Sequence, residues 1–355
     1  MKIAQIAPLY ESVPPKYYGG TERVISYLTE ELVLSGHDVT LFASGDSVTN
    51  ARLCPITHRA LRLDTHSIDP VADHIFMAEQ VFKKAREFEI IHSHIDYIPY
   101  PLYRRMKTPH VTTLHGRLDI PNLHNLYQEY DDIPLVSISN YQRLPLSWVN
   151  WTATVYHGLP HDLYEYREKK GEYLAFIGRI SPEKRVDFAI EIARKVDMPL
   201  KIAAKVDKVD KDYFETVILP LLDQPFIEYI GEIGEAQKND FLGNAYALLF
   251  PIDWPEPFGL VMIEAMACGT PVIARLHGAV PEVMEQGITG FIVKDIEGAA
   301  QAVKEVSTLS RQRCREVFEE KFTAQRMAKN YLEVYEKLID RKKTYRNIRF
   351  HRDPV

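Results

Sequence analysis

The chain has 355 residues, more than one hydrophobic core usually organises, and about 100–200 residues per domain gives roughly two domains. Apolar residues at 46% and charged residues at 26% exclude a disordered or fibrous chain. The net charge of −6 argues against nucleic acid as a partner, since that affinity rests on Lys and Arg neutralising phosphates, and no apolar run approaches the ~20 residues of a membrane span.

Residues 1–9 are too short and strand-like for a signal peptide, so a cytoplasmic protein is expected. Cys54, Cys268 and Cys314 have no paired spacing and suggest neither a disulfide framework nor zinc. From residue 2 onward, apolar β-rich runs alternate with helical patterns, the signature of parallel α/β units. A strand is predicted at 2–8, a loop at 9–20, and a helix at 21–35 with Val24, Leu28 and Leu32 on one face and Gly36 as its stop. Strands follow at 39–43, 88–92, 110–114, 135–138 and 153–156. A charged segment, 161–172, interrupts the pattern, which restarts with a strand at 173–177. Strands at 200–204, 226–230, 247–250, 271–274 and 291–293 then alternate with helices near 183–196, 235–244, 258–267 and 297–308. The reading is two Rossmann-like, doubly wound parallel-sheet domains, 1–165 and 166–322, with an interdomain cleft. A helix near 323–340 is a candidate to pack back on the first domain. In the tail, 341–355, Arg341, Lys342, Lys343, Arg346, Arg349 and Arg352 crowd together. A solvated tail is expected, with a weak anionic-membrane contact as the alternative.

Open α/β sheets bind ligands beyond the carboxyl ends of their strands, so residues that directly follow strands carry the information. The strand at 173–177 runs into Gly178, Arg179 and, after Pro182, Lys184, which places two cations around a helix start. A diphosphate suits a planar fork, a point charge and unpaired N–H groups. A surface ion pair for Arg179 is the plainer alternative. The strand at 247–250 leads into Trp254, Pro255, Glu256, Pro257, Phe258, Gly259 and Leu260, then a helix carrying Glu264. On this reading Glu264 lies about six residues inside the helix, or ~9 Å along its axis. A carboxylate there can accept from both ribose hydroxyls, the amides of Phe258, Gly259 and Leu260 can meet phosphate oxygens, and Glu256 remains for sugar hydroxyls. The helix is apolar almost all round, so Glu264 should be buried, and a buried carboxylate needs a partner.

These residues resemble the retaining family-4 glycosyltransferases of the GT-B fold, the glycosyl transferases group 1. The stretch from Phe176 to Lys184 is similar to that family's Gly-Arg…Lys segment, Glu256 with Glu264 to its Glu-x7-Glu motif, and the runs Glu264 to Ala274 and Pro281-Glu282-Val283 match as well. Gly19-Gly20-Thr21-Glu22 resembles the family's glycine loop near the donor phosphates, and Leu114-His115-Gly116 its active-site histidine segment. His277-Gly278, His157-Gly158 and Lys205 depart from the usual pattern. The resemblance implies that Arg179 and Lys184 hold the diphosphate and Glu264 the ribose. It also implies that Glu256 grips donor-sugar hydroxyls, His115 lines the sugar pocket, and backbone near Ile233 meets the base. The implied activity is transfer of a sugar from a nucleoside-diphosphate sugar, UDP-hexose first, to an acceptor hydroxyl of unknown identity, with retention and without a metal or cofactor. A sugar phosphorylase, a nucleotide-sugar epimerase or a non-catalytic sugar-nucleotide sensor remain open.

His92 and His94 form a His-x-His after a strand, but no ligand set joins them, so a structural or cleft-lining place is expected. Asp210-Lys211-Asp212 looks like a metal-binding Asp-x-Asp, yet helix capping is the better reading. The chain lacks the Gly-x-Gly-x-x-Gly of dinucleotide enzymes and the P-loop.

Overall fold

Strand β1 (Lys2–Ile6) pairs in parallel with β2 (Asp38–Ala43), and β2 with β3 (Arg52–Pro55). The coordinates are a computed structural model that describes residues 1–350 apart from 18 and 66, with side chains described through 342. With β4 (Ile90–Ser93), β5 (His110–Thr113), β6 (Leu135–Ser137) and β7 (Trp151–Thr154), the first sheet has seven parallel strands in the order β3-β2-β1-β4-β5-β6-β7. The predicted strands all form, and β3 is new. Its four residues include an arginine and a proline, too short and polar to show alternation, and an edge position tolerates that proline. Helix α1 (Gly20–Leu34) buries Val24, Leu28 and Leu32 along the predicted face.

The second sheet is parallel as well. Strands β8 (Tyr173–Ile180), β9 (Leu200–Val206), β10 (Ile227–Gly231), β11 (Ala245–Phe250), β12 (Val272–Arg275) and β13 (Gly290–Val293) lie in the order β10-β9-β8-β11-β12-β13. Their inward residues, among them Leu174, Phe176, Ile202, Leu249 and Ile273, are buried. Sheets covered on both faces read as continuous apolar runs, which is why these strands were legible. The helices are α2 (Val186–Val196), α3 (Glu235–Gly243), α4 (Leu260–Ala267), α5 (Ile296–Glu305) and α6 (Arg311–Lys321).

The chain divides into two compact units: Met1–Gly158 with the segment from Ala324, and Leu159–Thr323. The C-terminal helix (Ala324–Phe350) belongs to the first, where Tyr331 and Tyr335 are buried. The charged segment 161–172 lies in the second unit and is sewn down through its backbone. Arg315, mostly buried, donates to the carbonyls of His161, Tyr164 and Ala267 at 2.8 Å each. Arg311 donates to the carbonyls of Arg167 (2.7 Å), Gly243 (2.8 Å) and Ala245 (2.9 Å), and to Thr270 Oγ1 (2.7 Å). Ala267 ends α4, so Arg315 places a cation at the negative end of that helix. The two arginines thus anchor the far end of the helix that carries Glu264.

No helix among the described residues is long and apolar enough to cross a membrane. The basic tail lies largely outside the residues whose side chains are described.

Candidate active site

In the second unit, charged side chains gather where β8 and β11 end, and three of them correct the sequence reading. Strand β8 continues to Ile180, so Arg179 is a strand residue and not part of a helix start. A short 3-10 turn, Pro182–Lys184, follows; Arg185 then adopts a left-handed conformation (φ 54°), and α2 begins only at Val186. Lys184 therefore projects from a turn ahead of the helix. Arg179 is surrounded by carboxylates: it binds Glu183 and approaches Asp210 at 3.5 Å and Asp207 at 3.7 Å. Asp210 stands at a helix start but makes no capping bond there, so its carboxylate serves Arg179 instead of the expected cap.

Lys184 forms an ion pair with Glu256 Oε2, which also accepts from Trp254 Nε1 at 2.8 Å. The ammonium lies 4.9 Å from the centre of the Trp254 ring, a cation–π distance. Three residues of the loop after β11 and its neighbouring turn thereby lock together. The backbone of Glu256 is held as well: Ala279 N donates to Glu256 O at 2.9 Å. A Cβ on Gly278 (φ 56°) would come within 2.3 Å of that same oxygen, so only glycine fits there.

Pro257 and Phe258 are buried, and Gly259 precedes α4 with φ 87°, a conformation that favours glycine. A Cβ at Gly259 would also strike the end of Met262 at 2.7 Å. Helix α4 starts at Leu260 and not near 258, so Glu264 lies ~6 Å along the axis from the first residue, not ~9 Å. The leading N–H groups of a helix lack full-length intrahelical acceptors; at the start of α4, Met262 N turns back to Gly259 O at 3.0 Å.

Glu264 is buried, as the apolar helix around it requires, at 3% exposure. Its partner is Lys238 of α3, whose Nζ donates to Oε1 at 2.7 Å and lies 3.7 Å from Glu235. Sequence reasoning asked for a partner and did not find Lys238, although it is the only basic residue of α3. Ile233 is half-buried in the loop between β10 and α3.

In the first unit, Gly19 immediately precedes α1, and its carbonyl accepts from Arg23 N at 3.1 Å; Gly20 is the first helical residue. His115 follows β5 and is half-buried, stacked at 5.3 Å on His157. Burial lowers its pKa to about 3, so the ring is neutral. His94, at 2.9 Å from His115, and His92 are buried in the same network and are held well below the usual histidine value by burial and by neighbouring histidines.

The model of glycosyl transferases group 1 matches residues 165–324, and that of glycosyltransferase family 4 matches 18–171. The chain belongs to the family 4, group 1 glycosyltransferases of the GT-B fold. An uncharacterized glycosyltransferase of Methanocaldococcus jannaschii is 25% identical over 71% of this chain and 76% of its own. The N-acetyl-alpha-D-glucosaminyl L-malate synthase of Bacillus anthracis is 27% identical over 89% and 93%. Two crystal structures share the fold. AviGT4, involved in avilamycin A biosynthesis, superposes with a TM-score of 0.75 at 20% identity, covering 96% of this chain and 98% of that one. Anabaena HepE, in complex with UDP and glucose, does so with a TM-score of 0.71 at 17% identity over 95% and 100%. Within this glycosyltransferase, the second unit therefore brings together Arg179, Lys184, Glu256 and the α4 start, with Glu264 beneath. The acidic collar of Arg179, the Lys238 partner and the Trp254 bond had no separate signature in the sequence.

Proposed function

We propose that the enzyme transfers a hexosyl group from a UDP-sugar to an acceptor hydroxyl with retention of configuration. The observation that carries this reading is the pairing of two cations with exchangeable carboxylate partners beside a helix start, with a buried carboxylate one turn along that helix. Lys184 and Arg179 are matched by Glu256, Glu183, Asp207 and Asp210, so an incoming diphosphate exchanges one set of anionic oxygens for another. HepE, crystallised with UDP-glucose, supports UDP as the nucleotide.

In the reaction, the bond from the anomeric carbon to the β-phosphate oxygen breaks and leaves its electron pair on the phosphate. The acceptor oxygen bonds to the same face of that carbon, and its proton passes to the departing phosphate oxygen. Negative charge grows on the leaving group, and Lys184, Arg179 and the α4 amides are fixed in place to meet it, the kind of preorganised electrostatics that dominates many rate accelerations. Glu256 exchanges its lysine for donor-sugar hydroxyls, Glu264 accepts from the ribose diol, backbone near Ile233 meets the base, and the Gly19-Gly20 loop serves the phosphates. UDP release from UDP-hexoses, with and without candidate acceptors, tests the reading; absence of binding and turnover across UDP-sugars overturns it.

Two outcomes follow. Glu264→Ala should weaken UDP binding by about 1.5–3 kcal/mol, the value of a hydrogen bond to a charged group, and Lys238 keeps Glu235 as a partner, so the variant should fold. Calorimetry returning wild-type affinity would remove Glu264 from the site. Activity should also survive EDTA, because the proposed cations are side chains; a complete loss restored by Mn²⁺ or Mg²⁺ would show otherwise.

A further inference from the structure

Strands β1, β4 and β5 are neighbours in the first sheet, and Gln5 on β1 is in register with His92 on β4. Polar side chains near their ends form a connected buried network. Gln5 Nε2 donates to Tyr335 Oη at 3.0 Å, and Tyr335 Oη lies 2.7 Å from His92 Nδ1. His92 Nε2 lies 2.7 Å from Thr113 Oγ1, which is 3.0 Å from Tyr331 Oη. On the other side, Gln5 Oε1 lies 2.9 Å from His94 Nε2, and His94 Nδ1 lies 2.9 Å from His115 Nε2.

With Gln5 Oε1 facing His94, the remaining protons in this chain follow by elimination. A carbonyl oxygen only accepts, so His94 Nε2 carries the hydrogen facing Gln5. His94 is buried at 3% exposure, with neutral partners at both ring nitrogens, so it is uncharged and its Nδ1 is a lone pair. His115 Nε2 must then donate to it, and the neutral His115 ring is left with an acceptor at Nδ1. That atom is buried and has no hydrogen-bond partner among the described residues. A Cβ on the adjacent Gly116 would meet nothing within 4 Å, so the backbone next to His115 borders open space.

We propose that Gln5 and His94 are positioning residues that fix His115 as the Nε2-protonated tautomer, so that its Nδ1 accepts a hydrogen bond from a hydroxyl of the transferred sugar. The proposal rests on the glycosyltransfer reading above. It has a chemical consequence: a lone pair repels phosphate and carboxylate oxygens, so His115 recognises a hydroxyl and takes no part in holding the diphosphate. Which ring nitrogen of a histidine is protonated is set by the bond the other one makes. Here the setting originates two residues away, in the Gln5 amide, whose Nε2 faces Tyr335 Oη of the C-terminal helix and whose Oε1 faces His94. Turning that amide over would reverse every donor as far as His115 and present a hydrogen at Nδ1, so the tautomer itself is the decisive observable.

The first measurement is long-range ¹H–¹⁵N correlation on the full chain with ring-labelled histidine at pH 7.5, with the His115 signals assigned by His115→Gln. The expected pattern is a protonated Nε2 and a bare Nδ1; a protonated Nδ1 overturns the proposal whatever the enzyme's activity. The second is steady-state kinetics with a UDP-hexose. His94→Phe should lower kcat by about 10–100-fold, the range lost when a metal-bound histidine is deprived of its orienting partner, with KM for the donor changing less. His94→Asn returns an acceptor close to the former Nδ1 and should recover most of the loss, which a purely structural defect would not do. Gln5→Leu should resemble His94→Phe and serves if the latter does not fold. A donor deoxygenated at the recognised position should be a poor substrate for the wild type and should erase the difference from His94→Phe. Wild-type kinetics in both His94→Phe and Gln5→Leu would overturn the positioning role. No turnover by the wild type with any UDP-sugar, with the tautomer as expected, would count against the UDP-sugar reading and leave the tautomer assignment standing.

Discussion

Lys184→Ala should lower kcat by about 10²–10³, the cost of removing one preorganised partner of a developing oxyanion, while KM for the donor changes less. Before donor binding, Lys184 neutralises Glu256, so the ground state already satisfies the ammonium. A diphosphate gains little by displacing that carboxylate, since one anionic partner replaces another. The gain grows only as the glycosidic bond breaks and charge accumulates on the leaving oxygen, and interactions that strengthen at that point are the ones that raise kcat. Loss of Lys184 leaves Glu256 with its Trp254 bond, so circular dichroism should find the variant folded. Arg179→Lys should also be harmful: a point charge among Glu183, Asp207 and Asp210 cannot bridge two phosphate oxygens as a guanidinium can. Normal kcat with only a raised KM for Lys184→Ala would mean that the lysine holds the donor and does not stabilise the transition state.

The site was legible where chemistry and chain position coincide. Glu256 and Glu264 follow a strand with unmistakable apolar composition, and the apolar surroundings of Glu264 alone required its burial. The failures have a common physical cause. Lys238 meets Glu264 across two helices, and residue spacing says nothing of such a meeting until the helices are packed. The carboxylates around Arg179 come from the ends of β8 and β9, which are adjacent only through the sheet order. Arg311 and Arg315 bind backbone carbonyls, and every residue has a carbonyl, so no pattern of side chains marked segment 161–172 as their target. The early end assigned to β8 has another origin: Gly178 is disfavoured in strands, yet pairing along the whole of β9 carries β8 on to Ile180. The absence of a ligand set in the sequence points His92 and His94 only to a structural or cleft-lining place. The residues that give them meaning, Gln5, Tyr331 and Tyr335, come from the two ends of the chain.

The buried histidines also set how the protein should respond to acid, and here the sign can be worked out. His115, with a folded value of about 3, and His110, at about 4, bind their proton later in the folded state than the 6.5 of an unfolded chain. His92, His94, His157 and His74 are displaced in the same direction by burial. Over this range the unfolded chain holds more protons, so stability is complete above the unfolded value and falls as pH drops below it. By linkage, His115 and His110 each contribute roughly 2 kcal/mol at pH 7.5 that is gone by pH 5. Glu22 and Asp96 oppose them: burial raises their carboxyls to about 7 and about 6, and their stabilising terms grow as pH falls, together offsetting about two histidines. His92, His94, His157 and His74 remain uncompensated, so denaturant unfolding should show a net loss of stability between pH 7.5 and pH 5. Ordinary carboxylates, with unfolded values near 4, contribute little in that window. His110→Phe should flatten the slope by close to one proton. An unchanged slope in His110→Phe would mean that this ring takes up its proton in the native protein as readily as in the unfolded chain.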